Sequence, residues 1–107
     1  NRTGGDLDLV AGQQIIVTTS SNLTVAEFST LVVVDADSAE VNITLPVITD
    51  SVVGETVEVL ITDATFDTHV FPQGGATIMD DSSVLMNQKY MSLPFTAITK
   101  TNWYIAS

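Results

Sequence analysis

The chain has no cysteine. That excludes disulfides, a zinc–thiolate site and a thiol nucleophile, and leaves packing, association or the rest of a longer chain to supply stability. Basic residues are scarce too: Arg2, Lys89 and Lys100 stand against 13 acidic side chains, for a formal net charge of −10. Affinity for phosphate backbones and anionic membranes rests mainly on Lys and Arg, so nucleic-acid partners and membrane insertion are not expected. Abundant acid with little lysine favours solubility and suits a saline setting, where screening shortens the reach of self-repulsion to about 8 Å or less. No apolar run approaches membrane-spanning length, and no basic-then-apolar leader marks a signal peptide. A chain opening on Asn1 is expected to be a fragment or a processed product.

What is present is valine, isoleucine and threonine in short alternating runs, within 107 residues that are 45% hydrophobic. Those residue types fit a pleated, half-buried surface, and the length fits one domain. Residues 1–5 read as a flexible lead or linker, and residues 6–107 as a single β domain. Asp6 to Val10 has the alternation of a short edge strand, Leu7 and Leu9 on one side and Asp6 and Asp8 on the other.

The clearest strand lies after Leu45-Pro46 and Gly54: Val57, Val59 and Ile61 face one way, Thr56, Glu58, Leu60 and Thr62 the other. Gly54 falls where the chain must turn, and glycine tolerates positive φ. Leu31 to Val34 is apolar on both faces and is expected to be covered on both sides, by a facing sheet or by a neighbouring chain. Met91, Leu93, Phe95 and Ala97 share a face in a late strand, and Trp103 begins the closing one. With turn signals between these runs and no convincing long helix, the pattern predicts an all-β fold: a β-sandwich or jelly roll of about eight or nine short antiparallel strands. No internal repeat of fixed period is visible, which makes a repeat solenoid the lesser reading.

Chemistry has few places to reside. Glu55 and Glu58 fall on opposite faces and do not pair, and Asp6 with Asp8 and Asp35 with Asp37 read as solvated edge and turn residues. His69, the single histidine, lies in a strand-like run stopped by Pro72, and no Gly-x-Ser-x-Gly elbow presents a serine to it. Its reading is structural or interfacial. Asp35 to Ser38, Asp80 to Ser83, and the Asp63 and Asp67 pair offer oxygens without calcium-loop spacing, and neither Gly-Gly pair matches a phosphate loop. No cofactor, metal or enzymatic activity is expected. Asn1, Asn22 and Asn42 open glycosylation sequons, which carry meaning only in a secreted eukaryotic chain. Among the aromatics, Phe28, Phe71, Phe95 and Trp103 are expected in the core, and Phe66 in its polar loop is either a plug or a contact residue.

The runs Val32-Val33-Val34-Asp35, Val41-Asn42-Ile43-Thr44-Leu45-Pro46, Val53-Gly54 and Val57-Glu58-Val59 resemble a small β domain of phage tail fibres, tailspikes and related spikes. The resemblance continues through Gly74-Gly75-Ala76-Thr77-Ile78 and Leu93-Pro94-Phe95 to Thr101-Asn102-Trp103-Tyr104-Ile105-Ala106-Ser107. It spans about Leu31 to Ser107 and leaves Asn1 to Thr30 unmatched. It implies a virion structural protein, homotrimeric, near the receptor-binding end of a fibre or spike and attached to the rest of the particle.

On that reading the expected contacts with a host-surface receptor or glycan come from Asp63, Thr65, Phe66, Asp67 and Gln73, and the oligomer interface from Leu31, Val33 and His69. The rival readings are a capsid decoration or fibre-trimerisation module with no receptor, and a carbohydrate-binding module using Phe66, Tyr90, Trp103 or Tyr104 as a platform.

Overall fold

A computed structural model describes residues 15–105. The expected lead at residues 1–5 and the edge strand at Asp6 to Val10 lie outside that range. The described residues form ten strands and one short 3-10 turn, Asp50–Val52. The strands are β1 Ile15–Thr19, β2 Leu23–Thr24, β3 Thr30–Asp35, β4 Val41–Thr44 and β5 Thr56–Asp63, then β6 Thr68–Phe71, β7 Thr77–Ile78, β8 Val84–Met86, β9 Ser92–Thr99 and β10 Asn102–Ile105. Two sheets result: a six-stranded one in the order β1-β3-β5-β9-β10-β7, and a four-stranded one in the order β2-β4-β6-β8.

The all-β expectation holds; the antiparallel one does not. Five of the eight strand pairings are parallel, β1 with β3, β3 with β5, β2 with β4, β4 with β6, and β7 with β10. The cause is the path of the chain. From β1 to β6 it changes sheet at every step, so each strand returns beside its predecessor in the same sheet, running the same way. This is the coiling path of a solenoid, the reading that lacked a visible repeat. At β8 the direction reverses: β8 is antiparallel to β6, and β9 to both β5 and β10.

Alternation decides what is buried. Val57, Val59 and Ile61 of β5 are fully buried, as are Val32 and Val34 of β3 and Val41 and Ile43 of β4. These join Val70, Met86, Phe95, Ala97 and Trp103 in one core cluster drawing on both sheets. Phe28 packs on that cluster by stacking on Trp103, ring centroids 5.4 Å apart and planes 11° from parallel. Phe71 departs from expectation: it sits half-buried beside His69 on the outer face of the four-stranded sheet, because β6 turns Thr68 and Val70 inward instead.

Leu31 and Val33 face outward too. They are half-buried on the outer face of the six-stranded sheet, so the described residues of the chain itself cover this strand on one side, and the second cover expected for it falls to a neighbouring chain. Gly54 turns the chain into β5 at φ +97°, and Gly74 and Gly75 turn it after β6 at φ +71° and +80°. All three lie in the left-handed half of φ space that glycine enters without penalty.

Candidate functional site

Coiling sorts the links between strands onto two edges. Links leaving the six-stranded sheet for the four-stranded one, at residues 20–22, 36–40 and 64–67, stack on one edge. Those returning, at residues 25–29, 45–55 and 72–76, stack on the other. The stacking is hydrogen-bonded: the Phe66 amide donates to Ala36 carbonyl oxygen at 2.9 Å, the Ala36 amide to Asp63 oxygen at 3.1 Å, and the Val41 amide to Asp67 oxygen at 3.1 Å.

The first edge is acidic. Asp35 and Asp63 are register partners at the ends of β3 and β5. Asp63 Oδ1 accepts the Thr65 hydroxyl at 2.6 Å and the Thr65 amide at 2.8 Å, the local loop that Asp favours. Those bonds, the hydroxyl first, hold the Asp63 carboxyl below its ordinary value, with Lys89 adding to the effect. Asp35 moves the other way, raised by desolvation and then by the Asp37 and Asp63 carboxylates. Lys89 lies 5.1 Å from the Tyr90 ring centroid, and the Tyr90 amide donates to Ile61 oxygen, which brings both to this edge. Two aromatics are open to solvent here, Phe66 at 40% and Tyr90 at 70%.

The five residues expected to contact a receptor are therefore not gathered in one place. Asp63, Thr65, Phe66 and Asp67 share the acidic edge, whereas Gln73 follows β6 and stands on the opposite edge. Between them runs a four-residue strand, about 13 Å at the usual rise. There Gln73 Nε2 donates to the Leu45 carbonyl at 3.0 Å and lines an open groove of about 560 Å³ with Phe28, Pro46, Val47, Glu27 and Glu55. Strand direction, invisible in the alternation, is what separates them. Tyr90 joins the edge through β9, which starts at the end where β5 finishes. Sequence alone offers Tyr90 as a candidate glycan platform, without placing it beside Asp63 and Phe66.

The three residues expected at an oligomer interface also divide. Leu31 and Val33 belong to the outer face of the six-stranded sheet. His69 belongs to the outer face of the four-stranded one, opposite Asn42 and Leu85 in register.

The first of these faces spans β1, β3, β5 and β9 and mixes apolar with polar side chains. In register across it run Ile16, Leu31, Glu58 and Pro94, then Thr18, Val33, Leu60 and Ser92. Ile16 is 66% exposed. Among the described residues Glu58 is the one carboxylate in the middle of that surface, and its Oε2 accepts the Ser92 hydroxyl at 2.7 Å.

Among the described residues, no three His, Asp or Glu side chains come together in a way that could hold a metal ion, and no helix is long and apolar enough to cross a membrane. Compared with known protein families, the chain matches no family model, and it matches no curated protein.

Proposed function

We propose that this domain is a non-enzymatic virion component, a homotrimer at the tip of a phage fibre or spike that attaches the particle to a host surface. In this reading the two sheets lie face to face as a β-sandwich. The observation that carries it is the outer face of the six-stranded sheet. On a chain of net charge −10, Ile16, Leu31, Val33, Leu60 and Pro94 share this face with Thr18, Ser92 and, among the described residues of these two rows, a single carboxylate, Glu58. Apolar surface of this kind, depleted of like charge, is what a second copy of an acidic chain can approach.

Threefold symmetry demands two different patches on each copy, because a ring contact is heterologous. The face with Leu31 and Val33 supplies one. The face with His69, Phe71 and Leu85 supplies the other. The acidic edges, with Asp63, Thr65, Phe66, Asp67 and Tyr90, then remain at the rim for a receptor or glycan. Three weak sites presented together raise avidity by about 10²–10⁴ without any new contact.

Sedimentation at micromolar concentration should show a trimer, and a strict monomer would overturn the proposal. Leu31→Glu and Leu85→Glu, one on each face, should each give monomers in a heterologous ring. Dissociation by Leu31→Glu alone would mean face-to-face pairing of the six-stranded sheets, and hence a dimer. Competition of the domain with intact phage for host cells tests attachment. A trimer that fails to compete is a decoration or trimerisation module.

A further inference from the structure

Tyr90 holds a place that neither packing nor backbone preference accounts for. Its ring is 70% exposed, so burial does not keep it there. Its φ is +66°, in the left-handed region where a bulky L-residue is strained. The position is a turn: the Met91 amide donates to the Gln88 carbonyl at 3.1 Å, with Lys89 and Tyr90 between them. A positive φ at the third residue of such a turn is ordinarily met by glycine. Both flanks are pinned to β5, the Tyr90 amide donating to the Ile61 carbonyl at 2.6 Å and the Ile61 amide to the Met91 carbonyl at 2.9 Å. The ring therefore stands on a fixed backbone, and strain held in place by its surroundings is a mark of binding sites.

A cation and a carboxylate accompany the ring. The Lys89 ammonium lies 5.1 Å from the ring centroid. The Thr65 hydroxyl and amide, and then Lys89, hold the Asp63 carboxyl below its ordinary value, which puts the ammonium within electrostatic reach of that carboxylate. Both Thr65 bonds end on Asp63 Oδ1, so Oδ2 has no partner among the described residues. Ile61, to which Tyr90 is bonded, is two residues from Asp63 on β5, roughly 7 Å along the strand. A disaccharide spans that distance.

We infer that Tyr90 stacks on the C–H face of a neutral sugar ring whose hydroxyls bond to Asp63 Oδ2 and the Lys89 ammonium. The inference rests on the acidic edge being the rim that meets the host surface, and it names what that rim takes. A pyranose offers an apolar face to the aromatic ring, and hydroxyls that both donate and accept suit a carboxylate beside an ammonium. Sialylated, sulfated or phosphorylated sugars are disfavoured, because Asp35, Asp37 and Asp67 share this edge with Asp63.

The full chain, titrated with millimolar cellobiose, lactose and N,N′-diacetylchitobiose, should bind at least one of them with shifts in the Asp63, Lys89 and Tyr90 amide resonances. Tyr90→Gly should weaken that binding about tenfold or more and, by relieving the backbone, raise Tm by about 4 °C. Tyr90→Phe should keep both affinity and Tm. Affinity and stability moving in opposite directions is a result that a packing role for Tyr90 does not give. Absence of binding by all three sugars, shifts confined to the opposite edge, or undiminished binding by Tyr90→Gly would each overturn the inference. A fall in Tm with Tyr90→Gly would do so too, by making Tyr90 a structural residue. A chain that competes with intact phage yet binds none of these sugars removes the glycan and spares attachment. Sugar binding through Tyr90 without competition does the reverse.

Discussion

Asp35 and Asp63 face each other across β3 and β5, and their carboxyls shift in opposite directions. Asp63 is held below the ordinary 3.8, so its contribution to stability is complete above the unfolded value and disappears as pH falls through its lowered one. Asp35 is raised above 3.8, so ionising it opposes folding at neutral pH, and the penalty lifts as pH falls through its raised value. Asp35→Asn should therefore raise Tm at pH 7, and the gain should shrink once the pH is below the carboxylate range. A gain independent of pH would contradict the charge argument. Thr68 poses a different residue-level question. It is fully buried, and its hydroxyl finds no hydrogen-bond partner among the described residues. A polar group left so costs about 1–3 kcal/mol, so Thr68→Val should stabilise the domain by about 1 kcal/mol, read from chemical denaturation. Destabilisation would mean that the hydroxyl is satisfied in solution.

Among the elements, β5 joins the two halves of the six-stranded sheet, pairing in parallel with β3 and antiparallel with β9. Its alternation separates two kinds of side chain one residue apart. Ile61 is fully buried, and Leu60 is half-buried on the outer face. Ile61→Ala should cost about 2–5 kcal/mol, the range for emptying a packed aliphatic site. Leu60→Ser should change the stability of the monomer by well under half of that, and should weaken association. Equal losses in dilute, monomeric protein would show that the outer face is covered within a single chain. The sequence made this strand legible because both of its neighbours leave the outward row half-solvated, which keeps the two-residue period clean. It misled at β6, where four residues cannot reveal which side is inward, and so Phe71 was expected in the core.

For the whole molecule, charge and apolar area work against each other. Each copy carries −10 with three basic residues, and bringing three copies together concentrates that charge. Salt should therefore favour the proposed trimer. Raising ionic strength from about 0.05 to 0.5 M shortens the screening length to a few ångströms and should tighten association in sedimentation equilibrium. Weakening by salt would show that ion pairs, rather than the Leu31–Val33–Leu60 surface, hold the copies together.

Alternation of β-branched residues determined by itself where most strands lie and, in the longer ones, which side chains are buried, because a pleated strand shows one face to the core whatever its partner. Strand direction was decided only by the tertiary structure. A strand reads the same beside a parallel or an antiparallel neighbour, and direction follows from how the links cross between sheets. Those links differ in length. Ile15 pairs with Thr30, 15 positions on, and Thr30 with Val57, 27 positions on, so the coil leaves no fixed period to be read. The same crossings put Asp63, Thr65, Phe66 and Asp67 on one edge and Gln73 on the other. Side-chain chemistry marked them as candidates, but only the path of the chain could say which of them meet.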